Sequence, residues 1–598
     1  MKNKLNNLIL LIPIITACGG GNVVPPDSEG VVAFKNSILT NLQSNYDARS
    51  KSSLANSIVS AVSSSAQTKS FPTKFDLRNV DGKNYVTSVK QQSPFGTCWA
   101  FGSVAAAESS ILYDKNQNSF DEDEEGKFDT IDISEHQVAY FAYTQMVNGD
   151  QKGEGLISEE GKTASDKLNS GSTQFVAASM FASGVGPYLE PEFDSKTFKE
   201  NPESEFLYRG SYSETFGNTF SSSDDWSMRE DNRFKSSFIM KDCNLLEGTP
   251  KFDESGKLIV EETEKAVRGY KEQLMNGRAI AISYCADTYD PRLPWDEPMY
   301  MSDNYAQYTY ERATANHVVT IVGWDDDYSL DNFIYSPEEE YKTPPKKGAW
   351  IVKNSWGSVD SIGQGLNQGY WGVDDTGYFY LSYYDQSIED GATFNFDTSE
   401  AVKNDLSDNP IRYQLNYMPE EYPHSIDVDQ KVDQCNVFTF NQKSGDIKYI
   451  NVETAKGNTE VDINIYLFDK KHPNGSELIN VSNTKQTFEC SGLHLVKLEK
   501  AISLTEGKQF GVSISYKADG KYYLPVVSEY TKAGHKKGLT LDSYSANGVI
   551  NEGESYLIYE DENYWWDYSL AIKDFIADKV SPLLTYDNFP IIALGDAK

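Results

Sequence analysis

Near residue 395 the chain changes texture, and that change constrains the fold more than any other feature. Before it, from about 72, helical stretches (98–113, 134–147, 172–183 and 263–276) precede strand-like ones (278–284, 317–324, 348–353 and 376–383). A helical first half and a β-rich second half predict an α+β domain of two lobes. After the change come Val437–Phe440, Ile447–Val452, Val461–Phe468, Leu493–Leu498, Gln509–Ile514 and Tyr522–Val527, short runs separated by Gly, Asn, Asp and Lys turns. That pattern predicts an all-β sandwich. At 598 residues the chain is too long for one ordinary domain. The boundary falls at 388–400, so the expected domains are 71–392 and 393–585, with 586–598 as a C-terminal tail.

The first eighteen residues are an address. Lys2 and Lys4 precede an apolar core from Leu8 to Thr16, of signal-peptide length and too short for a permanent membrane span. Ile15-Thr16-Ala17-Cys18 resembles a bacterial lipobox, which implies acylation of Cys18 and a membrane-anchored lipoprotein outside the cytoplasm, on the outer membrane or cell surface. Residues 19–70 read as a linker or short pro-segment, with a weak helical period through Val32, Phe34, Ile38, Leu39 and Leu42.

A net charge of −35 argues against nucleic acid, since no basic face is available to displace counterions from phosphates. The six cysteines (18, 98, 243, 285, 435 and 490) contain no CxxC, and the six histidines form no cluster at metal-ligand spacing. No structural metal site is therefore expected. Asp114–Asn118 with Glu125 imitates a calcium loop, but Ser119 stands where glycine is required, and a solvated acidic loop is the expectation. No cofactor is predicted. An oxidising compartment leaves pairings Cys243–Cys285 and Cys435–Cys490 open.

Three segments carry chemistry. Gln92-Ser93-Pro94-Phe95-Gly96-Thr97-Cys98-Trp99-Ala100-Phe101 places a cysteine where a helix opens after a tight turn, and the positive end of the helix dipole favours thiolate there. Asn316-His317-Val318-Val319 sets a histidine at a strand start, and Trp350-Ile351-Val352-Lys353-Asn354-Ser355-Trp356-Gly357 ends a buried strand in asparagine and tryptophan. On its own, the first segment fits a buried structural cysteine about as well, and His317 alone is more often a satisfied core or surface residue.

Taken together and in this order, the segments resemble the papain and cathepsin cysteine peptidases, over about 70–390. The family form Q-x-x-x-G-x-C-W-A-F, which includes Gly96 and Trp99, matches from Gln92 to Phe101, and W-I-V-K-N-S-W-G matches from Trp350. Weaker echoes are Phe75-Asp76-Leu77-Arg78, Ser134-Glu135-His136-Gln137 and Gly377-Tyr378-Phe379. The resemblance implies a two-lobed papain-like fold hydrolysing protein or peptide substrates. Cys98 would be the nucleophile, His317 its base and acid, Asn354 the group that orients the imidazole, and Gln92 an oxyanion donor. Trp356 would cover the Asn–His bond. Two departures stand out. Phe95 replaces the family's further cysteine, and His317 lies much further from Cys98 than the roughly 130–150 residues of the usual signature. Insertions at 114–132, 195–258 and 289–313 account for the distance and are candidates to wall the cleft. The segment 19–70 is shorter than the usual pro-domain, so little autoinhibition by it is expected.

Residues 395–580 resemble, more loosely, a lectin-like sandwich found beside such peptidases, which implies attachment to cell-surface glycan or a brace for the peptidase. Two other readings share the fold: a non-catalytic surface adhesin, and a cell-wall peptide amidase or transpeptidase.

Overall fold

The structure is a computed structural model that describes residues 28–50, 69–123, 126–191, 201–208, 226–293, 296–334, 339–358, 371–406, 409–468, 478–539, 543–559 and 564–598. Cys18 and Glu125 lie outside them.

The first described element is the helix Glu29–Arg49. Ser28 Oγ accepts from the Val31 amide at 3.2 Å, Glu29 sits at the positive end, and Arg49 sits at the negative one. Its buried stripe is Val31, Phe34, Ile38, Leu42, Tyr46 and Arg49, spaced three and four residues apart as a helix face requires. That stripe does not face the peptidase half. Phe34 stacks on Tyr559 at 5.1 Å and meets Trp566 edge-on, while Tyr46 meets Phe575 edge-on at 6.0 Å. The stretch read as a linker or pro-segment therefore contributes to the core of the C-terminal half.

In the peptidase half the helix Cys98–Lys115 is buried along nearly all its length. It packs on the helices Glu135–Ala142 and Gln174–Ser183 and on the strand His317–Asp325. Such a helix must be apolar all round, and Trp99-Ala100-Phe101, Val104–Ala107 and Ile111-Leu112 meet that demand.

One twelve-stranded sheet runs through both halves. From the peptidase side its order is Ala306–Gln307, Tyr378–Ser382, Ala349–Lys353, His317–Asp325, Ile280–Tyr284, Asp390–Phe396 and Met240–Glu247. It continues through Gly492–Thr505, Ser444–Thr454, Ile592–Ala597 and Pro410–Tyr413, while Lys74–Asp76 pairs off the path on His317–Asp325. The junction is the antiparallel pairing of Gly492, Leu493 and His494 with Asn244, Cys243 and Asp242. Gly492 has φ +138, and a Cβ there would lie 1.9 Å from the carbonyl oxygen of Cys243. A second cross-link pairs Tyr544–Asn547 with Gly155–Ser158.

The C-terminal sandwich is closed by an eight-stranded sheet built around Asp433–Thr439, Thr459–Phe468 and Gln509–Ala518. Ile463, Ile465, Phe510, Val512 and Ile514 from this sheet meet Ile447, Ile450, Val452, Val496 and Leu504 from the long one. The stretch 586–598, read as a tail, instead holds the strand Ile592–Ala597, buried between Pro410–Tyr413 and Ser444–Thr454. Its neighbours on both sides require that burial. No disulfide joins Cys98, Cys243, Cys285, Cys435 and Cys490, so neither pairing left open by the sequence is formed.

Candidate active site

The site is assembled by three backbone zippers. The Gln92 amide donates to the Ser355 carbonyl at 2.9 Å and the Gly357 amide to the Lys90 carbonyl at 3.1 Å, so the segment before Cys98 lies along the Asn354 loop. The Gly96 amide donates to Asn169 Oδ1 at 3.3 Å, fixing the turn that starts the helix. Gly102, one turn after Cys98, is where helix and strand close up: a Cβ there would sit 2.8 Å from Val318 Cγ1. Thr320 Oγ1 donates to the Gly102 carbonyl at 2.8 Å. Val318 follows His317, so this contact brings the helix start and the strand start to one place.

His317 is 7% exposed, and its Nε2 lies 2.8 Å from Asn354 Oδ1. The Ser355 amide also donates to that Oδ1 at 2.8 Å, which identifies the atom as the oxygen. Nε2 must then carry the proton and donate it, leaving the Nδ1 lone pair as the base. Burial pushes the His317 imidazolium down to about 4, and the bond to Asn354 acts against that shift. The Trp356 ring lies over the imidazole, centroids 4.9 Å apart and planes 32° apart, and Trp371 meets Trp356 edge-on at 4.8 Å. Gln92 Oε1 accepts from Ser355 Oγ at 2.7 Å, and its Nε2 donates one hydrogen to the Phe95 carbonyl at 3.0 Å. The amide's second hydrogen remains for another acceptor.

Residues 71–125 match the family model of papain family cysteine proteases, and residues 413–575 match that of the lectin like domain. Over those two stretches the chain resembles papain family cysteine proteases and the lectin like domain, and its fold is that of a papain-like peptidase followed by a lectin-like domain. Two solved structures share its architecture over nearly their whole length. One is the clostridial cysteine protease Cwp84 after propeptide cleavage, with 19% identity, a TM-score of 0.54, and coverage of 86% of this chain and 97% of that one. The other comprises the cysteine protease and lectin-like domains of Cwp84, a surface layer associated protein of Clostridium difficile. It has 17% identity, a TM-score of 0.56, and coverage of 94% and 97%. No curated protein matches the chain.

The structure brings Gln92, Cys98, His317, Asn354 and Trp356 of this peptidase into one neighbourhood. Trp99 is fully buried and meets Tyr143 edge-on at 6.3 Å, so it supports the helix from inside rather than touching a substrate. Several contributors carry no signature in the sequence. Tyr208, from the insertion 195–258, donates to the Gln92 carbonyl at 2.5 Å and lies 2.9 Å from Thr97 Oγ1. That part of the insertion braces the turn before Cys98. Behind the dyad, Lys90 Nζ bonds Glu108 at 3.2 Å, Asp132 at 2.5 Å and Glu135 at 3.0 Å. A small cavity between this network and Asn354 has room for about one water. Asn354 Nδ2 and Glu135 Oε2 both lack partners among the described residues, so a water there would find polar groups to bridge. The only forewarning is Glu135, within the S-E-H-Q echo.

The calcium-like loop is otherwise engaged. Arg278 grips both oxygens of Asp114 at 2.9 and 3.0 Å, Asn116 Oδ1 accepts from Tyr85, and Asn118 Oδ1 accepts from the Asn84 amide.

Proposed function

We propose that the peptidase hydrolyses peptide bonds through Cys98, His317 and Asn354 by way of an acyl-enzyme. The observation that carries this is the Nε2–H···Oδ1 bond from His317 to Asn354, set beside a helix that begins at Cys98. It leaves Nδ1 as the proton acceptor. Nδ1 takes the proton of the Cys98 thiol, and the helix dipole and the imidazolium so formed stabilise the thiolate, which attacks the scissile carbonyl. The oxyanion that forms meets the backbone amide of Cys98 and the second hydrogen of the Gln92 amide. Losing one such donor typically costs about 3 kcal/mol of transition-state stabilisation. The imidazolium then protonates the leaving amine, and water attacks the thioester. Trp356 and Trp371 keep solvent from the His–Asn bond. On this reading the peptidase runs from about 71 through the strand Asp390–Phe396, a little past the expected limit of 392, and the lectin-like part takes in the stretch 586–598 as well as 393–585.

The setting is extracytoplasmic, with Cys18 acylated as a membrane anchor and cell-surface glycan as a ligand of the lectin-like domain. The surface association of Cwp84 supports this reading. Residues 19–28 separate Cys18 from the helix on the lectin-like domain, a reach of at most about 35 Å at roughly 3.5 Å per residue. That domain is then the membrane-proximal one.

The test is labelling by an epoxide inhibitor of papain-type enzymes, comparing the chain with its Cys98→Ala variant. Stoichiometric labelling that is lost in the variant, with hydrolysis of a denatured protein, is expected. A folded, reduced chain that takes no label would bring the adhesin reading forward. Label with turnover of purified peptidoglycan alone would favour the amidase.

A further inference from the structure

Away from the cleft, where the lectin-like domain meets the end of the first helix, folding gathers Glu420, His424 and Glu529. One ligand atom from each lies within 4.8 Å of the other two. The three are 2%, 7% and 0% exposed. Two of their polar atoms lack any hydrogen-bond partner among the described residues: His424 Nε2 and Glu420 Oε2. A buried imidazole nitrogen and a buried carboxylate oxygen left without partners each cost stability, so their convergence calls for an occupant.

The surroundings fix each side chain. Glu420 Oε1 accepts from the Ser528 amide at 2.9 Å, which leaves Oε2 for another partner. Glu529 is held by the Glu421 amide at 3.1 Å, by the Tyr544 hydroxyl at 3.2 Å and by the Tyr530 amide at 3.3 Å. The His424 carbonyl accepts from the Val526 amide at 2.9 Å. Glu453, buried and with Oε1 lacking a partner among the described residues, bears electrostatically on Glu420. The cation alongside is Arg49, whose Nη1 donates to the Ser528 carbonyl and hydroxyl at 2.6 Å each. Its Nη2 lies 3.7 Å from Glu529.

We propose that Glu420, His424 and Glu529 form a structural site for a divalent transition metal, zinc by its donor set, which pins the 414–424 connection to the strand Ser528–Tyr530. Imidazole nitrogen with carboxylate oxygen suits zinc, whereas calcium and magnesium take oxygen alone. A water completes the tetrahedron. His424 and Glu529 lie far apart in sequence, beyond what spacing on one segment reveals.

The test titrates the full chain, stripped with chelator, with zinc and separately with cobalt(II). One equivalent is expected to bind at submicromolar concentration, raise the melting temperature, and with cobalt give the visible absorption of a tetrahedral N/O site. His424→Gln and Glu420→Gln should each lose at least 100-fold in affinity. Epoxide labelling of Cys98 in the same samples reports whether each variant is folded. Arg49→Met, which removes the competing charge, should bind zinc at least as tightly as the native chain. The proposal is overturned if the folded native chain binds no equivalent of zinc at about 10 µM, or binds it only when Arg49 is replaced. It is equally overturned if folded H424Q and E420Q bind like the native chain.

Discussion

The join between peptidase and sandwich rests on Gly492, and Gly492→Ala tests whether the continuous sheet holds the two halves together. Two costs add. The first is conformational, because φ +138 is a backbone region that L side chains rarely adopt, and enforcing it costs about 1–3 kcal/mol. The second is steric. The new Cβ would lie 1.9 Å from the Cys243 carbonyl oxygen, which belongs to backbone and cannot rotate away. Strand Gly492–Thr505 must therefore separate from Met240–Glu247 by roughly 1.5 Å to restore ordinary contact. That disrupts the pairing of Gly492–His494 with Asp242–Asn244 and the bond from the Leu245 amide to the Ser491 carbonyl. At about 1 kcal/mol for each lost bond, the total is roughly 3–5 kcal/mol.

Gly507→Ala is the matched control, since Gly507 also has positive φ (+78), but a methyl added there would meet nothing within 4 Å. It should cost only about 1 kcal/mol. Calorimetry of both variants beside the native chain, with epoxide labelling of Cys98 as a check on the peptidase half, separates the two costs. Gly492→Ala should lower the main transition well below that of Gly507→Ala and split peptidase from sandwich. If the two variants melt together in one transition, the join contributes nothing and the sheet is continuous only geometrically.

Two further outcomes follow from the site and the first helix. In Asn354→Ala the imidazolium of His317 loses the contact that raises its pKa against burial, so the proton is lost at lower pH. The basic limb of kcat/KM should move toward acid, with a loss of about 100-fold at pH 7; an unshifted limb would show that Asn354 does not act through His317. Deleting residues 19–50 should leave the rate of Cys98 labelling within about twofold, because the helix packs on the strand Ser425–Val428 and the helix Tyr568–Ile576. The same deletion should lower the melting temperature of the sandwich by exposing the partners of Phe34, Ile38, Leu42 and Tyr46. Labelling about tenfold faster after deletion would mean that the segment is inhibitory.

The features legible in the sequence are those that local chemistry dictates. The helix expected over 98–113 is observed as Cys98–Lys115, and the strand over 317–324 as His317–Asp325, because burial on every side demands unbroken apolar runs that the eye can find. The positions proposed as the triad stand out for a different reason: each sits at the end of such a run, where a polar residue is conspicuous. Long-range pairings leave no such trace. Gly492 follows Cys490-Ser491 in what reads as an ordinary turn, and its necessity appears only once Cys243 is known to face it. Ile592–Ala597 reads as part of a tail because a Pro/Asp/Asn stretch precedes it, yet its apolar residues fill an interior place in the sheet.

Helix, sheet join and buried cluster bear on one consequence. Arg49 is fixed in the sandwich through Ser528, and Phe71 packs edge-on against Trp324 at 6.2 Å, at the end of its strand remote from His317. Both described flanks of the 51–68 stretch are thus held away from the dyad. The sandwich receives the first helix on one side and extends the catalytic sheet on the other. A pull on the N-terminus would load the sandwich first and reach the strand bearing His317 along the sheet through Met240–Glu247, Asp390–Phe396 and Ile280–Tyr284, with the pairing of Tyr544–Asn547 and Gly155–Ser158 as a second route into that half. The lectin-like domain therefore stands between the first helix and the strand bearing His317, and under the proposed anchor at Cys18 it would shield that strand from a pull, a role that requires the sheet to be continuous whether or not the domain binds a sugar.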